Sequence, residues 1–168
     1  MKSSSLPIKI TSEIKQQEEG YLQAKLDTNI QALIPIKEAK GAVIIPLEKI
    51  TVMPNIPQWV IGLFNQRSHV FWLIDLPHLL QLSSVRIKPR EYSIVIVQVG
   101  NISLGLVVEE IQGVIRFSED KIQSLMGSYS SGLTPYLKGC IVQPPTEMLL
   151  VLDTQAIIEV ASKMISPV

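Results

Sequence analysis

Short apolar runs, several of them alternating with polar residues, occupy most of the chain, and turn-forming residues separate them. Residues 21–26 alternate in this way, whereas residues 92–99 form a longer run that is rich in β-branched side chains. Both patterns are typical of β-strands. Further runs of the same kind predict strands at 30–34, 42–45, 102–108, 114–117, 137–142 and 148–152, and a strand–turn–strand hairpin over 62–75.

The number and close spacing of these strands predict a mainly β fold of the barrel or sandwich type. The apolar runs fall into two halves of similar pattern, residues 21–82 and residues 90–153. We therefore expect two sub-barrels that share one hydrophobic core, within a single domain over residues 21–165.

Polar segments and helix signals account for the rest of the chain. Asp75 and Asp153 each precede a predicted helix, and an Asp at this position can cap the helix that follows. The elements expected outside the strands are a flexible N-terminal arm at 1–20, a helical turn at 36–40, a short helix at 77–82 and a closing helix at 154–163.

The predicted hairpin carries the most informative polar residues. Its turn holds Arg67 between two apolar strands, where this side chain is poorly placed for packing and well placed for contact with a partner. The structural alternative is an ion pair with Asp75, because Arg forks bind carboxylates in both settings. Asn65 is expected to shape the turn. Phe71 and Trp72 are adjacent, so they face opposite sides of their strand and one of them can anchor a partner.

Composition restricts the classes of function. The 168 residues include 15 basic and 15 acidic ones, so the formal net charge is +0, unlike the basic faces of nucleic-acid-binding proteins. Cys140 is the only cysteine, and we expect it to be a small buried apolar residue. His69 and His78 have no suitable third ligand near them in the sequence, so no metal or other cofactor is expected. No catalytic motif is present, so we do not expect an enzyme.

The sequence also bears on the location of the protein. The first residues lack the apolar region of a signal peptide. No apolar run approaches the roughly 20 residues that a membrane-spanning helix needs. We therefore expect a cytoplasmic protein that does not insert into the membrane.

Three sequence blocks occur in a recognisable order. The matching positions are Gly62, Asn65, Arg67, Asp75 and Leu76 in the first block, Gly105 to Glu109 in the second, and Gly139 and Asp153 in the third. In this order the blocks resemble the CheW-like coupling proteins, which are small adaptors of bacterial chemosensory arrays. The resemblance covers roughly residues 21–160.

Four positions depart from the family pattern. Ser68 replaces the Gly that usually follows the Arg, and Glu109 replaces the usual Asp. Gly41 stands where many members carry a Glu near the receptor-facing surface. Trp72 replaces a Pro, which is typical of the branch associated with phototaxis and type IV pilus motility.

The resemblance implies both a fold and a function. The implied fold has two small SH3-like five-stranded barrels around a shared core. The implied function is that of a non-catalytic adaptor, which binds the CheW-like regulatory domain of a CheA-type histidine kinase and the cytoplasmic tip of a methyl-accepting receptor. The expected binding residues are Gly41, Asn65, Arg67, Trp72, Val107, Val108 and Glu109, and the expected structural residues are Gly62, Asp75, Gly105, Gly139 and Asp153.

Two alternatives remain open from the sequence. Gly41 is compatible with a detached regulatory module that binds only the kinase. An oligonucleotide-binding barrel is the second alternative, although the neutral charge and sparse exposed aromatic residues count against it.

Overall fold

Two five-stranded sheets form the body of the protein. The computed structural model describes residues 18–82, 90–124 and 134–165. The expected mainly β fold is confirmed, because strands outnumber helices throughout this part of the chain. In chain order, the strands are β1 (Glu18–Asp27), β2 (Ile30–Pro35), β3 (Ala39–Pro46), β4 (Val60–Gln66), β5 (His69–Asp75), β6 (Glu91–Val99), β7 (Ile102–Val108), β8 (Glu110–Ser118), β9 (Leu137–Gln143) and β10 (Glu147–Leu152).

Each sheet draws strands from both halves of the chain. The first sheet has the order β8-β1-β2-β10-β9, and the second has the equivalent order β3-β6-β7-β5-β4. Each sheet therefore combines a hairpin from one half with three strands from the other. Parallel pairs join these parts, β2 with β10 in the first sheet and β5 with β7 in the second.

This topology corrects the expected sub-barrel boundaries at 21–82 and 90–153. The two halves are indeed similar, but each contributes its hairpin to the sheet of the other half. Parallel strands need a long crossover connection, so their partners lie far apart in the sequence. The spacing of apolar residues along a strand carries no information about such distant partners.

Three apolar clusters stabilise the two sheets. The central cluster lies between them and includes Ala32, Ile74 and Leu150. A smaller cluster around Leu73 packs on the other face of the second sheet, and another around Leu149 packs on the other face of the first. Adjacent residues of one strand therefore enter different clusters, because side chains alternate between its two faces. This arrangement matches the expected pair of barrels with a shared core.

The described residues include two α-helices, α1 (Leu76–Leu79) and α2 (Thr154–Ile165), and each follows a buried strand. Asp75 Oδ1 accepts a hydrogen bond of 3.2 Å from the backbone N–H of His78, and Asp153 Oδ1 accepts one of 3.1 Å from Ala156. Both carboxylates thus cap the helix that follows, as the sequence indicates. Short 3-10 turns occur at Leu47–Lys49, Glu119–Lys121 and Thr134–Tyr136. Within the described residues, every helix is too short or too polar to cross a membrane.

Several element bounds differ from the expected ones. Residues 18–20 belong to β1 rather than to an arm, because they pair with the end of β8. The helical turn expected at 36–40 is a tight turn that leads into β3 at Ala39. α1 is shorter than the helix expected at 77–82, since Gln81 has a positive φ of 61° that ends it. The rest of the expected arm, residues 1–17, lies outside the described residues.

Candidate protein-binding surfaces

A strained two-residue turn presents Arg67 at the tip of the β4–β5 hairpin. Arg67 and Ser68 have φ values of 51° and 68°. Two positive φ values in a row are typical of the tightest hairpin turn, which usually contains Asn and Gly. Both side chains are exposed. The hairpin therefore exposes an arginine to solvent at a position where the backbone conformation is unfavourable for any residue other than Gly, Asn or Asp.

Ser68→Gly is expected to stabilise the protein. An L-residue in the left-handed region costs roughly 1–2 kcal/mol, and Gly avoids this cost but loses more chain entropy on folding. We expect a net gain of about 0.5–1 kcal/mol in the free energy of unfolding, measured by urea denaturation. Asn101→Gly is the control, because Asn101 is also exposed in a hairpin turn but has no positive φ. An equal or larger gain in the control would contradict the explanation.

The hairpin tip borders a groove that also includes the start of β3. Two adjoining cavities, of about 570 and 330 Å³, share the side chains of Lys40, His69, Phe71 and Ile96. We call their combined surface the tip groove. Gly41 and Arg67 line the smaller cavity, so the structure brings these two expected binding residues together.

Other expected binding residues lie away from the tip groove. Val107 and Val108 are buried, at 0% and 1% exposure, so their side chains cannot contact a partner. Asp75, at the far end of β5, pairs with Val107. Glu109 follows this end and donates its backbone N–H to Lys25 O at 2.9 Å, which places it beside the first sheet. Trp72 is half-buried against the central cluster.

Asn65 and Asp75 are also positioned differently from their expected roles. Asn65 lies within β4, opposite Val70, and its side chain is exposed, so it does not form the turn. Ser68 and the first six residues of β5 lie between Arg67 and Asp75, and β5 alone spans roughly 20 Å at about 3.3 Å per residue. The alternative ion pair between these two residues is therefore excluded.

A second exposed surface lies at the edge of the first sheet. Ile36 and Val114 are 41% and 58% exposed, although large apolar side chains usually avoid solvent. They line a shallow cavity of about 460 Å³ whose rim carries Arg116, Lys37 and Glu19. The pairing of β1 with β8 brings Val114 close to the β2–β3 turn that holds Ile36. We call this surface the edge patch. Ile36 was not predictable as a binding residue from the sequence, because only the sheet pairing places it beside Val114.

Cys140 and Tyr21 are buried titratable residues with raised pKa values. Burial raises the pKa of the Cys140 thiol, so it remains protonated at neutral pH and is a poor nucleophile. In the described part of the chain, no three His, Cys, Asp or Glu side chains are grouped to hold a metal ion. Tyr21 has a raised pKa, chiefly because it is buried and then because Glu19 and Glu119 lie nearby. It is a core residue of the cluster around Leu149.

The glycines expected to be structural occupy crowded sites. Gly62 has a φ of 156°, and Gly139 has a φ of 157°. A Cβ on Gly105 would meet Ile94 Cγ2 at 3.0 Å and would clash with Leu73. Together with the two capping aspartates, these glycines stabilise the fold and do not form either surface.

Comparison with known proteins assigns the family. The model of the CheW-like domain matches residues 29–162. The chain belongs to the CheW-like domain family. Its fold is similar to that of the scaffolding protein TtCheW from Thermoanaerobacter tengcongensis, with a TM-score of 0.68 at 21% identity over 80% of this chain and 88% of that one.

Two chemotaxis proteins are similar in sequence to this CheW-like chain. Chemotaxis protein CheW of Treponema pallidum is 29% identical over 113 residues, which are 66% of this chain and 66% of that protein. Chemotaxis protein CheV3 of Helicobacter pylori is 25% identical over 130 residues, which are 77% of this chain. The chain spans only 42% of the length of CheV3.

Proposed function

We propose that this protein is a non-catalytic adaptor of bacterial chemosensory signalling. It couples a methyl-accepting receptor to a CheA-type histidine kinase at the cytoplasmic side of receptor arrays. The match of the CheW-like model to residues 29–162 carries this proposal. The presence of two exposed surfaces on different sheets supports it, because an adaptor must bind two partners at once.

The edge patch is the proposed contact for the regulatory domain of the kinase. Two exposed apolar side chains, Ile36 and Val114, occupy its centre, and charged residues surround them. This is the usual composition of a protein interface, with an apolar centre and a polar rim. A CheW-like regulatory domain presents a fold of the same kind, so two sheet edges can meet there.

The tip groove is the proposed contact for the receptor. It is lined by residues of the second sheet, whereas the edge patch belongs to the first. The two surfaces adjoin at the β2–β3 turn, where Lys40 Nζ donates a hydrogen bond of 3.2 Å to the Lys37 carbonyl oxygen. Of the expected binding residues, Gly41 and Arg67 line the proposed receptor contact. Asn65 is exposed on β4, two residues before Arg67. Each contact can be modest, about 600–1,000 Å² per partner. Many such contacts in an array then act together through effective concentration.

Calorimetry tests the proposal directly. The purified protein is titrated into the CheA-type kinase encoded in the same genome, and into the same kinase without its regulatory domain. We expect micromolar or tighter binding that disappears with the deletion. Binding to the kinase but to no receptor fragment would favour a detached regulatory module, an alternative that Gly41 raises. Absence of binding to any kinase of the cell would refute the adaptor function.

We also propose that the protein serves a phototaxis or type IV pilus motility system. Trp72, in the place of the more usual Pro, supports this branch. Deletion of the gene is expected to abolish directed surface motility and to leave swimming unchanged. Loss of swimming chemotaxis alone would contradict the proposal.

A further inference from the structure

The tip groove has an unbalanced charge. Lys40, Arg67 and His69 line it, and no carboxylate lines it in the described part of the chain. All three side chains are exposed. Because the whole chain has a formal net charge of +0, this local excess of basic groups does not follow from composition.

The backbone aims these basic groups at the groove. The β3–β6 pairing shifts between Ala39 and Gly41, and Lys40 lies at the shift. Irregularities of this kind redirect a side chain. Arg67 is held at the hairpin tip with a positive φ of 51°. The two cations thus reach the groove from different elements of the second sheet, Lys40 from the edge strand β3 and Arg67 from the turn between β4 and β5.

The groove also has an apolar part. Val70 and Ile102 are 63% and 44% exposed, and both line its larger cavity beside Phe71. Large apolar side chains clustered on a surface mark interaction sites. Basic groups alone would suit any anion, whereas basic groups beside an apolar floor suit a protein segment with both acidic and apolar side chains.

We infer that the tip groove binds an acidic amphipathic segment of a protein partner, with carboxylates placed between Lys40 and Arg67. This inference rests on the proposed function, because it specifies the chemistry of the receptor segment that the groove takes. Electrostatic complementarity of this kind fixes the orientation of a partner and accelerates its association. Free phosphate or a nucleic acid would not need the apolar floor.

Gly41 permits a test in which only charge changes. A Cβ at this position would meet only Ile96 Cδ1, at 4.0 Å, which is ordinary contact. Both Gly41→Glu and Gly41→Gln are therefore expected to fold. The two side chains have nearly the same size, but only Glu adds a carboxylate beside Lys40 and Arg67. Gln thus controls for every effect of the new side chain except its charge.

The experiment measures binding of a purified cytoplasmic receptor fragment to the full chain at 50 and 300 mM NaCl. For the wild type, we expect affinity to fall several-fold at the higher salt, because screening weakens charge pairs. Gly41→Glu is expected to weaken binding about tenfold relative to Gly41→Gln at low salt. Lys49→Glu, in the 3-10 turn outside the groove, should leave affinity within about twofold.

The possible outcomes separate this inference from the proposed function. Equal binding by the Glu and Gln variants, or tighter binding by the Glu variant, would overturn the inference while the receptor contact stands. Absence of receptor binding with kinase binding intact would also overturn it. A single-stranded oligonucleotide that binds and is sensitive to Gly41→Glu would replace the acidic segment with a nucleic acid. Loss of all binding, including that of the kinase, would refute the proposed function itself.

Discussion

Gly62→Ala is expected to lower the free energy of unfolding by about 2–4 kcal/mol, the combined cost of backbone strain and overpacking. The backbone of Thr51 crosses directly over this glycine. Two hydrogen bonds of 2.8 Å join Thr51 to Leu63 and hold it there. A Cβ on Gly62 would collide with the Thr51 carbonyl oxygen. The substitution therefore has to break this pairing or distort β4.

The matched control for this substitution is Gly41→Ala. Gly41 also lies in a strand of the second sheet, but it has space for a Cβ and no strained φ. Removing a glycine from such a strand position is neutral or stabilising, by up to about 1 kcal/mol. Thermal unfolding followed by circular dichroism measures both variants. At roughly 2–4 °C per kcal/mol for a chain of this size, Gly62→Ala should lower Tm by about 5–15 °C. Similar Tm values for the two variants would refute the clash.

The first sheet contains an equivalent of this crossing. A Cβ on Gly139 would meet the Gln123 carbonyl oxygen at 2.5 Å, and Gln123 pairs with Cys140 as Thr51 pairs with Leu63. The two glycines occupy corresponding strands, β9 and β4, in sheets of the same order. The similarity of the two sheets is therefore visible in backbone contacts, although the sequence shows no clear repeat.

Local patterns predicted most of the individual strands and both helix caps. Alternation and β-branched runs mark elements such as β6 because they act within one strand. The caps at Asp75 and Asp153 were predictable because a capping side chain and its helix are neighbours in the sequence. The sheet order was not predictable in this way, since β2 and β10 pair across most of the chain.

The same limit applies to the candidate surfaces. A turn signal placed Arg67 at the hairpin tip, and the structure has it there. The family resemblance predicted Val107 and Val108 as binding residues. Both are core residues, because β7 is covered on both faces and adjacent side chains enter different clusters. Ile36 and Val114 form one surface only because β1 lies between β2 and β8. Such a surface is a property of strand pairing, which a single sequence does not encode locally.

Val114→Asp is expected to weaken kinase binding at least about 30-fold, because a residue at the centre of an interface contributes most of its affinity. Val114 is 58% exposed on the free protein. A carboxylate there remains hydrated until the kinase covers it, so folding should be unaffected within about 0.5 kcal/mol. In the complex, the same carboxylate would lie against apolar surface and lose its water.

Val142 provides a close control for this prediction. It is 53% exposed and lies on β9, at the opposite edge of the same sheet. Val142→Asp makes the same chemical change away from the edge patch and should leave the calorimetric Kd within about twofold. If both variants weakened binding equally, the effect would come from general destabilisation or charge. If Val142→Asp alone weakened kinase binding, the kinase would bind at the β9 edge of the sheet, and the proposal that it binds the edge patch would be wrong.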